Sequence, residues 1–232
     1  MDAERDTFQP IDMAEIYKKH NSLKKVEAVI NPRLKERDAI LSLIPTASVG
    51  AEIGVFTGML SEYLLDKVKP TKLYLVDPWS KLHGERFPNF GAYSDHGKLQ
   101  TAAALNAVRF RVKRFPAAEI VQEFSQKWLA EQPDHSLDWV YLDASHKYEN
   151  TMNELQAIEP KLKPDGMILG DDAWTKRGGR HYGVFRAITD FCKQRPFELF
   201  RLDQYAQWAI RPIENLQPQP RSVVRVVSTS RP

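Results

Sequence analysis

Four short apolar runs, each stopping at glycine or aspartate just before a helical pattern begins, constrain the fold more than any other feature. "VGAEIGV", "KLYLVD", "LDWVYLD" and "GMILGDD" are rich in aliphatic, β-branched and aromatic residues and too short for buried helices. Between them the apolar spacing turns helical. Leu60, Tyr63, Leu64 and Val68 share one face after the first run, and Tyr148, Met152, Leu155, Ile158 and Leu162 share another after the third. Strands alternating with helices predict a mostly parallel sheet covered on both faces, because parallel neighbours are joined by crossovers.

The other segments fill out that plan. "PRLKERDAILSLI", with Pro32 in a first turn, predicts a helix near the N-terminus. Residues 79–98 hold Gly, Pro, His and aromatic residues without periodicity and read as a substrate-side loop, with His83, Arg86 and His96 its polar members. "LQTAAALNAV" reads as helix, the alternating "FRVKRF" as a half-exposed strand ending near Ala117, and "AAEIVQEFSQKWL" as helix. "YGVFRAITDFCKQ" is a last helix before two closing strands, "FELFRL" and "YAQWAIR". The expected fold is α/β: a Rossmann-like doubly wound, mostly parallel seven-stranded sheet with helices on both faces and an antiparallel closing strand. Residues 1–46 are expected to form a helical extension or lid, 47–212 the main domain, and 213–232 a flexible tail in which "SVVRVVS" is a candidate subunit-pairing arm.

Composition narrows the function classes. A 42% hydrophobic content over 232 residues supplies one sizeable core. The net charge of +3 is spread thinly, which does not indicate nucleic-acid binding, and no run of about 18 apolar residues suggests a membrane span. The lone Cys192 rules out an internal disulfide and reads as core sulfur, consistent with a reducing, cytoplasmic setting. A small-molecule substrate and a homodimer joined through the helical extension are the expected partners.

In doubly wound sheets ligands bind beyond the carboxyl ends of the strands. Gly54 and Gly58 stand at the first strand-to-helix turn, where they permit either a tight turn or close approach of a ligand to the backbone. Asp77 ends the second strand 23 residues after Gly54, placed to accept hydrogen bonds from ribose hydroxyls. Phe56 replaces the middle glycine of a dinucleotide fingerprint, which argues against an NAD-dependent oxidoreductase.

"AEIGVFTG", "LYLVDPW", "LDWVYLDASHKYE" and "LKPDGMILGDD" together resemble the successive motifs of class I S-adenosylmethionine-dependent methyltransferases, over roughly residues 49–211. The resemblance implies that Gly54 and Gly58 pass the methionine part of S-adenosylmethionine, that Glu52 helps to hold it, and that Asp77 holds its ribose. It also implies that Trp79 and Ala117 flank the adenine, a position in which ordinary packing is the alternative.

Asp143, Asp171 and Asp172 are expected at one rim if their strands are neighbours, and three unpaired carboxylates there would repel unless a cation joined them. Oxygen ligands suit a hard ion: Mg²⁺ first, with Mn²⁺ or Ca²⁺ as alternatives. The spacing resembles metal-dependent O-methyltransferases of the catechol type, and "DASHKYE" and "GDD" also resemble macrocin and related sugar O-methyltransferases of natural-product pathways. His146 is then the candidate base beside Asp143, at the position of the catechol-type lysine. The segment "AWTKRGGRHYG" reads as a lid in which Arg180, His181 and Tyr182 meet substrate, or else carry solvated loop charge. A cephalosporin-hydroxylase-like enzyme of the same fold and a non-catalytic cofactor-binding module are the competing readings.

Overall fold

A computed structural model describes residues 13–179 and 181–213. Seven strands, β1 (Val49–Ile53), β2 (Lys72–Val76), β3 (Ala118–Val121), β4 (Leu137–Leu142), β5 (Leu162–Gly170), β6 (Phe197–Leu202) and β7 (Trp208–Pro212), form one sheet in the order β3-β2-β1-β4-β5-β7-β6. The first five run parallel, while β7 is antiparallel to both β5 and β6. This is the Rossmann-like doubly wound arrangement expected from the alternation of elements. Around the sheet lie α1 (Met13–Lys19), α2 (Asn21–Ile30), α3 (Asp38–Leu41), α4 (Met59–Val68), α5 (Ser80–His83), α6 (Thr101–Val112), α7 (Ser125–Glu131), α8 (Tyr148–Ile158) and α9 (Tyr182–Gln194).

The central strands read as continuous apolar runs because both faces of the sheet are covered. On β4, Trp139 and Tyr141 join a cluster with Leu23, Leu64 and Val108, from α2, α4 and α6. Val140 and Leu142 join the opposite cluster with Trp128, Leu155 and Ile188, from α7, α8 and α9. Cys192 packs against this second cluster, and burial pushes its thiol up to about 12, which makes it a poor nucleophile.

Three local expectations are corrected. "FRVKRF" is the last turn of α6 and the turn after it, because Ala104, Ala107, Val108 and Val112 bury a helical stripe that outweighs a short alternation. The third strand is therefore Ala118–Val121, and of the helix expected over "AAEIVQEFSQKWL" only the part in α7, from Ser125, is helical. "PRLKERDAILSLI" opens as a 3₁₀ turn over Asn31–Arg37 and becomes α-helical only in α3. The tail segment "SVVRVVS" lies outside the described residues.

The N-terminal helices are fastened by two buried charge clusters. Arg37, 6% exposed, donates from Nε to the Tyr141 hydroxyl at 3.2 Å, and that hydroxyl donates to Gln207 Oε1 at 2.7 Å. Gln207 Nε2 donates to Asp171 Oδ1 at 2.5 Å, and Asp171 Oδ2 accepts from Arg37 Nη2, closing the ring. Farther along, Glu27 accepts from Arg111 Nη2 at 2.6 Å and from the Tyr17 hydroxyl, while Arg111 Nη1 reaches Glu62 at 2.9 Å. Desolvation opposes the Arg37 charge, but its phenolic and acidic neighbours outweigh it and hold the guanidinium above its usual pKa.

Replacing Arg37 removes one partner of a buried pair and strands the other. Arg37→Met is therefore expected to lower unfolding stability by about 3–5 kcal/mol in denaturant titrations. A loss under about 1 kcal/mol would show that the pair contributes little.

Candidate active site

The ladder continues one residue past each strand and aligns the carboxyl rim. Gly54 N donates to Val76 O at 3.0 Å, Asp77 N to Val121 O at 3.1 Å, and Asp143 N to Ile53 O at 2.9 Å. Gly54 stands at φ +92°, and a Cβ there would lie 2.1 Å from the Asp143 carbonyl oxygen, so only glycine lets the β1 and β4 tips approach this closely. Gly58, at φ +77°, opens α4.

Asp77 clamps this turn from the next strand. One carboxylate oxygen accepts from Val55 N at 3.0 Å and Phe56 N at 2.9 Å, and the other from Trp79 N at 2.8 Å. Burial raises its pKa although these three bonds pull the other way. Trp79 is fully buried, with its indole N–H donating to Phe56 O at 2.8 Å. Trp79 is thus packed against the turn. Ala117 is corrected outright. It precedes β3, and its carbonyl accepts from Leu73 N near the start of β2, so it lies at the amino end of the sheet, away from the rim. The mislocated strand carried the residue with it.

Glu52 is 1% exposed and accepts from the Ser61 hydroxyl at 2.5 Å. Burial first, and the charges of Asp143 and Asp77 after it, push its carboxyl up to about 8.

Asp143, Asp171 and Asp172 do come together, but not as three uncompensated charges. Asp171 is 3% exposed and is held by Arg37, Gln207 and the Asp172 backbone N–H at 2.7 Å, with Arg33 Nη2 at 3.7 Å. Burial and then the Asp143 charge push it up to about 7 against the pull of Arg37. Arg37 Nη2 also lies 3.5 Å from Asp143. The compensating guanidinium comes from a segment more than a hundred residues away in sequence.

Asp172 faces elsewhere. It stands at φ +65°, a left-handed conformation that aspartate tolerates better than most residues. Its Oδ1 accepts from the Trp174 indole at 3.0 Å, and its Oδ2 lies 3.2 Å from His146 Nε2 and 3.3 Å from His181 Nδ1. His146 Nε2 is also 3.6 Å from Asp143 Oδ1. Desolvation works against a charged His146, but the neighbouring carboxylates prevail and raise its pKa.

Asp172 and His181 line a cleft of about 390 Å³ together with Arg33, Glu36, Trp174 and Tyr205. Tyr182 opens α9 and turns its ring towards Phe185, with centroids 6.1 Å apart. Arg180 lies outside the described residues. Arg33, Glu36, Arg37, Tyr205 and Gln207 escaped the sequence reading. The i,i+4 pair Arg33 and Arg37 beside Pro32 was the only local signal, and it does not reveal a partner on β5.

A carboxyl whose folded pKa is raised keeps its proton longer in the folded than in the unfolded chain, so folding stability falls as pH rises between the two values. For Glu52 that window runs from 4.5 to about 8. Glu52→Gln is expected to flatten the decline in stability across this window, where one group alone contributes at most roughly 1.4 kcal/mol per pH unit. Parallel stability–pH curves for variant and parent would contradict the assignment.

Two solved structures share the fold. A protein from Corynebacterium glutamicum is 12% identical, with 90% of this chain and 94% of that one covered at a TM-score of 0.58. Another, from Methanococcus maripaludis and assigned to the S-adenosyl-L-methionine-dependent methyltransferases, is 16% identical, with 94% and 99% covered at 0.54. No curated protein matches the sequence. The family model described as "Methyltransferase domain" matches residues 51–173, more than half of the chain and the span that holds the glycine turn, Asp77, Asp143 and Asp172, so the chain belongs to that methyltransferase family.

Proposed function

We propose that the chain is an S-adenosylmethionine-dependent O-methyltransferase acting on a hydroxyl of a small molecule, a sugar or a phenol. The observation that carries this reading is the position of His146. Its Nε2 lies between the carboxylates of Asp143 and Asp172 at the rim next to the Gly54 turn. The turn suits the donor because it lies at the carboxyl end of β1, where doubly wound sheets bind ligands, and its left-handed glycines at 54 and 58 pack it tightly against the β4 tip and α6. Glu52, buried beneath the turn, supplies a carboxyl for the cationic end of the donor. A cleft of about 390 Å³ suits a small acceptor.

S-adenosylmethionine supplies an electrophilic methyl group. The chain's part is to bring the acceptor oxygen in line with it and to take the hydroxyl proton. His146 accepts that proton, and the flanking carboxylates stabilise the imidazolium that results. The oxygen–carbon bond forms as the carbon–sulfur bond breaks, with inversion at the methyl carbon. The three-carboxylate set expected for Mg²⁺ does not fit, because Asp171 is already bound by Arg37 and Gln207, and no step is drawn through such an ion.

Transfer of labelled methyl from S-adenosylmethionine to a panel of catechols, flavonoids and sugar nucleotides, in chelator, tests the reading. Methylated product is expected from the parent, and His146→Ala should lower kcat by about 10²–10⁴-fold while donor binding is retained. A full rate in that variant would remove His146 as base. Absence of both donor binding and transfer would remove the function.

A further inference from the structure

We infer that His146, Asp172 and His181 form a binding site for one divalent transition-metal ion of the zinc and cobalt class. The proposal goes beyond methyl transfer and stands on side-chain geometry alone. One ligand atom from each residue lies within 4.8 Å of the others. Asp172 Oδ2 is 3.2 Å from His146 Nε2 and 3.3 Å from His181 Nδ1. Those separations match the edge of a coordination polyhedron with metal–ligand bonds of about 2.1 Å.

Three features prepare the set. The Trp174 indole N–H occupies Asp172 Oδ1 and leaves Oδ2 aimed between the two imidazoles, the outer-layer support that metal carboxylates commonly have. The left-handed backbone at Asp172 turns its side chain away from the Arg37 network and towards the histidines. The start of α9 is packed onto the segment after β4: a Cβ on Gly183 would lie 2.8 Å from His146 O and 2.9 Å from Tyr148 N. This contact holds His146 and His181 together, with ring centroids 4.3 Å apart. Asp172 and His181 open onto the cleft, which leaves coordination positions for water or a substrate oxygen.

Two imidazoles and one carboxylate select borderline ions over Mg²⁺ and Ca²⁺, which prefer all-oxygen sites. The ion uses the same His146 nitrogen that accepts the proton, so bound ion and free base are alternative states of one site.

Calorimetry of the chelator-stripped full chain with Zn²⁺, and visible absorption with Co²⁺, test the proposal. Binding of one ion per chain is expected, weakened at least tenfold in each of His146→Ala, Asp172→Asn and His181→Ala, and unchanged in His83→Ala. Circular dichroism identifies which of these variants fold, and any one folded ligand variant suffices. The inference is overturned if Zn²⁺ does not bind the parent, if His181→Ala or Asp172→Asn binds as the parent does, or if equimolar Mg²⁺ displaces the ion.

Discussion

The ion pair between Arg37 and Asp171 determines how the rest of the site is arranged. A carboxylate sealed at the end of β5 needs a countercharge, and the chain supplies it from a turn that precedes β1. Because Arg37 also binds Tyr141, and Gln207 completes the ring, four separate segments meet at one point. The Trp208 indole adds a bond to the Asp171 carbonyl at 3.0 Å, which ties the antiparallel strand to the same place. With Arg37 fixed, Arg33 and Glu36 on the same turn become walls of the cleft. The N-terminal helices are thus part of the site's construction, and the Glu27–Arg111 cluster secures their far end.

The glycine turn after β1 rests on a different constraint. The β1 and β4 tips approach too closely for any side chain at position 54, and Asp77 holds the turn by three backbone donors. Phe56, at φ +57°, packs edge-on against Phe87 with centroids 4.8 Å apart, so the loop after β2 rests directly on the turn. Shape here is set before any ligand arrives, as preorganised binding requires.

The parts of the molecule that were legible in the sequence are those written in local pattern. Strands β1, β2, β4 and β5 are apolar runs closed by glycine or aspartate, and their rim residues Gly54, Asp77, Asp143 and Asp171 fell where the runs ended. β3 was misplaced because it has four residues, none of them fully buried, and sits at the sheet edge, while the stripe of α6 overlaps an accidental alternation. Long-range charge was illegible. Asp171 and Arg37 are separated by most of the sheet in sequence, so the countercharge beside Asp171 left no local sign. The pairing of His146 with His181 was hidden for the same reason, since it depends on α9 docking beside the β4 tip.

The proposed function requires donor and acceptor to meet at the carboxyl ends of β1 and β4, on a rim completed by the N-terminal turn. A crystal structure of the chain with S-adenosylhomocysteine tests this most directly. The adenosine is expected against Asp77 and the Gly54–Gly58 turn, with the sulfur facing His146. A ligand seated at the amino ends of the strands, or with its sulfur turned away from that rim, would contradict it.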